Sequence, residues 1–277
     1  RTTWNGMEGL LILLRRLAYP DRLGMLCEEF GRSKPVLSLI INSMLMWIWE
    51  RWGGLLENPF AQPYFTQGRI QAYVRAISAK VGVHLNVWGY IDGTVRPICR
   101  PGMHQRVMYN GHKRVHAVKY QAVAAPDGLI THLHGPHEGR RHDAGILRES
   151  RLLDDMAAQI NHPENAPPFA LYGDPAYPLN PYLQKAYRGA NLPPQQHQFN
   201  AQMNAGRIAV EWAFGDVATL WAYLDMKKQQ KLLLQPVGLF YRVAVLFTNL
   251  RTIMRYGNKT SSFFGISPPS LEEYLQP

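Results

Sequence analysis

Apolar residues recur at helical spacing through the first third of the chain and at strand-like spacing after it. Leu10, Leu11, Leu14 and Leu17 supply a first apolar stripe, stopped by Pro20. Asp21 to Phe30 reads as a short helix, Gly31 to Lys34 as a turn, and Pro35 to Trp52 as a longer helix. Pro35 suits the first turn of that helix and Ser33 its cap. Helix, short Gly-containing turn, helix is the outline of a helix-turn-helix. The second helix is apolar on most faces, so packing against neighbours fits it better than lying in a DNA groove. Gly53 to Gly68 reads as a loop, and Arg69 to Val83 as an amphipathic helix with Ile70, Tyr73, Val74, Ile77 and Val81 on one face. The pattern changes from helical to extended at His84. This predicts a helical, helix-turn-helix-like region over 1–84, a second domain over 85–256 and a loosely held tail over 257–277.

Within the second domain, the short apolar run from Trp88 ends in Asp92, where Gly93 is expected to bend the chain. A polar, basic loop follows from Arg96 to Asn110. Two runs rich in β-branched and aromatic residues, Lys113 to Ala125 and Leu129 to His134, flank Pro126-Asp127-Gly128, a hairpin signal. Three antiparallel strands are predicted, with Asp92 on the first. Asp143 to Ile160 reads as one helix and Phe169 to Tyr172 as the next strand, ending at Asp174. The prolines from Pro175 to Pro194 predict a long irregular segment before a helix beginning near Ala205 that carries Glu211. Lys231 to Arg255 is an apolar helical stretch that closes the core.

Composition narrows the class. At 277 residues, 46% hydrophobic and 18% charged, the chain can bury a substantial core, which excludes disorder. A net charge of +10 fits a polyanionic partner, nucleic acid ahead of an anionic membrane. Cys27 and Cys99 form no pair spacing, which excludes a disulfide scaffold and argues against a cysteine zinc site; two thiols suit a reducing compartment. The most apolar window, Val36 to Trp49, is too short and too polar to span a bilayer. Arg1 stands first instead of Met, so upstream residues are expected.

Three acids carry the candidate chemistry. Asp92 and Asp174 each follow a short apolar strand, and Glu211 lies on a helix between Ile208 and Phe214 on its own face, a partly apolar stripe. Converging on one edge of a mixed sheet, they would form an oxygen donor set suited to Mg²⁺ or Mn²⁺. Two such ions about 3.5–4 Å apart serve in-line phosphoryl transfer without a nucleophilic side chain. Each acid also has a plainer reading. Glu211 can pair with Arg207 at i, i+4, Asp92-Gly93 is a common turn dipeptide, and Asp174-Pro175 can begin a loop. Asp143 fits a helix N-cap as well as an auxiliary ligand.

Eight of the ten histidines fall between His84 and His142, which leaves a histidine zinc site open beside surface histidines on exposed strand faces. Across 92–142, Arg96, Arg100, Arg106, Lys113, Arg114, Lys119, Arg140 and Arg141 face only Asp92, Asp127 and Glu138. This is a candidate phosphate track, with Lys113, Arg114, Arg140 and Arg141 the chief DNA contacts. Lys227, Lys228 and Lys231 could extend it or be a solvated loop.

These residues resemble the PIF/Harbinger family of DDE transposases, including the domesticated Harbinger transposase-derived nucleases. The matching pieces are Ile91 to Thr94, Asn110 to Arg114, and Pro136 to Gly139 with His142-Asp143 and Leu147 to Ser150. Gly173 to Pro178, Phe199-Asn200 and Arg207 to Gly215 follow, in the family's order over about 84 to 255. Ala176 stands where the family often has a smaller or hydroxyl residue. The resemblance implies an RNase H-like mixed sheet with flanking helices, catalytic metal ligands at Asp92, Asp174 and Glu211, and an auxiliary Asp143. It further implies DNA cleavage at transposon ends with strand transfer. A Myb-like DNA-binding partner, a nuclear location and self-association belong to the same expectation. A domesticated, non-catalytic DNA-binding descendant is the alternative.

Overall fold

The computed structural model describes residues 3–163 and 166–276. Five helices come first: α1 (Gly6–Ala18), α2 (Leu23–Phe30), α3 (Lys34–Trp52), α4 (Gly54–Glu57) and α5 (Gln67–Val81). Local chemistry sets their ends. Asn5 caps α1 through a hydrogen bond from the Glu8 amide, Gly31 ends α2 in the left-handed region, and Thr66 caps α5. Ser33 holds the cap position of α3, but its side chain makes no capping bond. The buried face of α1 is Ile12, Leu13 and Leu17, whereas Leu11 is half exposed, so the expected leucine stripe is rotated. The stretch read as loop over 53–68 holds α4 and a 3₁₀ turn at Pro59–Ala61. The apolar α3 packs on α1, α2 and α10 (Val237–Met254), as its composition predicts.

The strands are β1 (Val87–Pro97), β2 (Tyr109–Asn110), β3 (Val115–Ala124), β4 (Ile130–Glu138), β5 (Ala170–Gly173) and β6 (Leu183–Lys185), with a short α6 (Gln105–Met108) before β2. β1 pairs antiparallel with β3 and parallel with β5; β3 pairs antiparallel with β4, and β5 parallel with β6. β2 adds to the start of β3. Three antiparallel strands continued by parallel ones, with helices packed around them, give the mixed α/β, RNase H-like sheet. β1 does not bend at Gly93. It runs on to Pro97 because β3 continues to pair with it past Asp92.

Asp143–Ser150 and Leu152–Gln159 are two helices, α7 and α8, because Arg151 adopts a left-handed conformation that breaks the expected single helix. α9 runs from Pro194 to Leu220, eleven residues earlier than the sequence pattern placed it. Proline at the first helical position is tolerated where no amide is needed, so Pro194 starts this helix. The apolar helix α10 begins only at Val237, after turns over 231–236. It has the length and apolarity of a membrane span, but it packs in the core on α3, α9 and β4.

The C-terminal stretch, expected to be loose, folds into α11 (Lys259–Phe264) and α12 (Leu271–Leu275), each opened by a capping box. Phe264 stacks on Tyr90, and Tyr274 is buried against Tyr64. Hydrophobic packing is continuous from α1 through the sheet to α12.

Candidate active site

Strand register brings the first two acids together. Ile91 pairs with Gly173 in parallel, so the next residues, Asp92 and Asp174, come side by side where β5 ends and β1 runs on. Asp92 Oδ1 accepts the Gly93 amide at 2.8 Å, and Asp174 Oδ1 accepts the Ala176 amide at 2.7 Å. Burial pushes the Asp92 carboxyl above its ordinary range. Arg207 and the Gly93 amide pull it back, while Asp174 and Asp143 raise it further. Asp92 therefore feels both neighbouring carboxylates.

α9 supplies the third acid. It packs on β1, β3 and β5, and Gly206 makes the approach possible: a Cβ there would lie 2.0 Å from the Tyr90 hydroxyl. With the helix seated this deeply, Arg207 Nη1 reaches Asp92 Oδ2 at 2.8 Å, and Arg207 Nη2 lies 3.5 Å from Glu211 Oε1. The guanidinium joins the two acids. Glu211 is not on a buried stripe, since its side chain is 59% exposed and Ile208 beside it is exposed as well. The i, i+4 pair is present, and the same guanidinium contacts Asp92.

Asp143 also joins this group. It is the first residue of α7, not the cap, a position held by His142. Its carboxylate turns toward β1, where a Cβ on Gly93 would meet Asp143 Oδ1 at 2.8 Å. Lys119 Nζ lies 2.5 Å from the same oxygen but aims its hydrogen bond at the Arg141 carbonyl, so Asp143 Oδ1 has an ionic contact without hydrogen-bond geometry. Tyr177 is buried with its hydroxyl accepting from Gln121 Nε2 at 3.0 Å. Burial raises its pKa, and Asp143, Asp92 and Asp174 raise it further. In the sequence Arg207 reads only as a salt-bridge partner of Glu211 and Lys119 only as part of the phosphate track, while Gln121 and Tyr177 carry no site signal of their own. The i, i+2 alternation that puts Lys119 and Gln121 on one face of β3 is the signal that could have found them.

Four carboxylates against two cations form a hard, oxygen-only donor set, and Asp143 Oδ1 is a buried acceptor without a hydrogen bond. Such a donor set is chemically suited to a hard divalent cation. Its ligand atoms do not all lie within 4.8 Å of one another. Among the described residues the one trio that does is His134, His137 and Glu149. A large apolar cavity of about 740 Å³, lined by Trp4, Met7, Met44, Trp47 and Leu246 among others, carries no carboxylate and lies apart from this chemistry.

The basic track is shorter than expected. Lys113, Arg114 and Arg140 are exposed. Arg141 pairs with Glu149, and Lys119 is buried beside Asp143. Arg96 is bound to the Phe214 carbonyl and stacked over Tyr241. The histidines of β4 are not on an exposed face either: His132 is buried, with burial lowering its pKa to about 3, and His134 is half-buried.

A family model described as DDE superfamily endonuclease matches residues 91–249, more than half of the chain and a span that contains all four acids. No curated protein and no solved structure matches it.

Proposed function

Because this chain belongs to the DDE superfamily endonucleases, we propose that it cleaves DNA phosphodiesters, with Asp92, Asp174 and Glu211 as the carboxylates that hold divalent metal. The observation that carries this reading is the parallel register of β1 and β5, which sets Asp92 beside Asp174 within reach of Arg207 and Glu211 on α9. Mg²⁺ or Mn²⁺, when bound, supplies Lewis-acid activation of water and of the phosphate. The chain's own residues do the rest. Asp92 is fixed by the Gly93 amide and Asp174 by the Ala176 amide, so both carboxylates are oriented before a ligand arrives. Arg207 holds Asp92 and Glu211 in one geometry and gives up those contacts to a more highly charged cation. Lys113, Arg114 and Arg140, together with Arg141 once it releases Glu149, hold backbone phosphates.

In the reaction, water adds to phosphorus, the bond to the 3′ oxygen breaks, and a 3′-hydroxyl and a 5′-phosphate result. That hydroxyl can then attack a phosphorus of target DNA and displace its 3′ oxygen. The ordered motifs support a PIF/Harbinger-type transposase acting at transposon ends. A Myb-like partner, self-association and a nuclear location belong to that same reading.

With Mg²⁺ the protein should nick supercoiled plasmid. Asp92→Asn should lower the rate by about a hundredfold or more, beyond the loss expected for a residue that merely supports a ligand. Equal rates in the two proteins overturn the assignment. The Asp92–Arg207 pair favours one rival, a descendant that binds DNA without cutting it. Salt-sensitive binding with no nicking in either Mg²⁺ or Mn²⁺ would establish that rival instead.

A further inference from the structure

A second cluster lies apart from the acids, where the end of β4 meets the end of α7. His134 and His137 on β4 and Glu149 on α7 each offer a ligand atom, and all three atoms lie within 4.8 Å of one another. The His134 and His137 rings are 4.7 Å apart, and His137 Nδ1 is 3.5 Å from Glu149 Oε2. Nε2 of His134 and Nε2 of His137 are both shut off from solvent without a hydrogen-bond partner. Orphaned buried nitrogens are uncommon, and one on each of two neighbouring rings beside a carboxylate leaves this cluster short of partners.

We propose that His134, His137 and Glu149 form a binding site for a single transition-metal ion of the Zn²⁺ class, distinct from the carboxylate cluster. Two imidazoles and a carboxylate are a borderline donor set, matched to zinc and poorly matched to Mg²⁺. The spacing agrees. Ligands about 2.0–2.1 Å from a tetrahedral zinc sit about 3.3 Å from one another, close to the gap between His137 and Glu149. Glu149 divides its work: Oε1 is ion-paired with Arg141, and Oε2 lies beside His137 Nδ1. A ligating carboxylate oriented by a partner outside the metal's own ligands is the usual arrangement around a bound metal. The nearby Arg242 guanidinium is engaged by the Gly135 carbonyl and the Trp49 ring.

The position gives such an ion a structural role. It ties β4 to the C-terminal end of α7, whose first residue is Asp143, and so would hold that helix against the sheet. Protein stripped with EDTA and dialysed against ZnCl₂ should retain one zinc per chain by elemental analysis. Its Tm should rise by about 5 °C at roughly a hundredfold excess of Zn²⁺ over its Kd. His137→Gln and Glu149→Gln should each lose the zinc and the Tm rise, while Asp92→Asn keeps both. Glu149 lies on the surface of α7, so E149Q should match the wild-type Tm in the metal-free state, which guards against a loss through misfolding. Absence of zinc from the wild type overturns the proposal. So does zinc that survives H137Q and E149Q, or zinc that leaves with D92N.

Discussion

The guanidinium of Arg207 does at rest what a divalent ion would do in a working nuclease: it keeps Asp92 and Glu211 from facing each other uncompensated. Both members of the Asp92 pair are largely buried, so removing the cation leaves a costly carboxylate. Arg207→Gln should lower metal-free stability by about 1–3 kcal/mol in urea and enlarge the gain on adding Mg²⁺. An unchanged response to Mg²⁺ would show that the guanidinium and the ion do not share a place. Gly93 is constrained from the other side. Alanine there would press on Asp143 Oδ1 and push the carboxylate off Lys119, and a loss of about 1–3 kcal/mol is expected. A G93A protein as stable as wild type would mean that Asp143 yields freely. At this scale the flanking patterns put Asp92 on a strand, Asp174 after one and Glu211 on a helix, as the structure has them. Gly93 was read as a bend, when its lack of a side chain serves the approach of Asp143.

At the scale of elements, amphipathic spacing located α5 well, since the face of Ile70, Tyr73, Ile77 and Val81 is the one buried. It failed for α9, where Pro193 and Pro194 read as breakers although proline is at home in a first helical turn. It failed again beyond Gly257, where short polar-looking segments are made helical by capping boxes and by burial of single aromatic residues. Asn258 shows how firmly that end is attached. It accepts from the Thr260 and Ser261 amides and donates to the Gly128 carbonyl at the β3–β4 turn, so Asn258→Ala should cost about 1–2 kcal/mol in urea.

The same turn carries Asp127, fully buried with Tyr73, Arg69 and the Leu129 amide around it. Burial raises its pKa above the ordinary 3.8 despite those partners. A carboxyl raised on folding favours the fold while protonated, so its contribution is full below 3.8 and lost as pH climbs through the folded value. The urea-measured stability gap between wild type and Asp127→Asn should therefore shift toward the variant as pH rises above 3.8. A gap independent of pH would contradict the buried carboxylate.

Across the whole molecule the net charge is +10, and within the expected track Arg96, Lys119 and Arg141 are committed to partners in the fold while Lys113, Arg114 and Arg140 are exposed. With Lys113, Arg114 and Arg140 on phosphates, log K for DNA should fall with log salt at a slope of about −3, and Lys113→Ala should remove about 0.9 of it. A slope near zero would mean that the charge serves some other end.

The sequence alone determined the three central antiparallel strands, the strand before Asp174 and the helical setting of Glu211, because alternation and turn dipeptides are local signals. It also determined that the candidate ligands are oxygens, a matter of residue type. Only the tertiary structure decided that β1 outruns β5 to set Asp92 beside Asp174, that Gly206 lets α9 bring Arg207 between two acids, and that His134 and His137 turn inward toward Glu149. Those outcomes depend on register and on close approach between segments far apart in the chain, which no local pattern encodes.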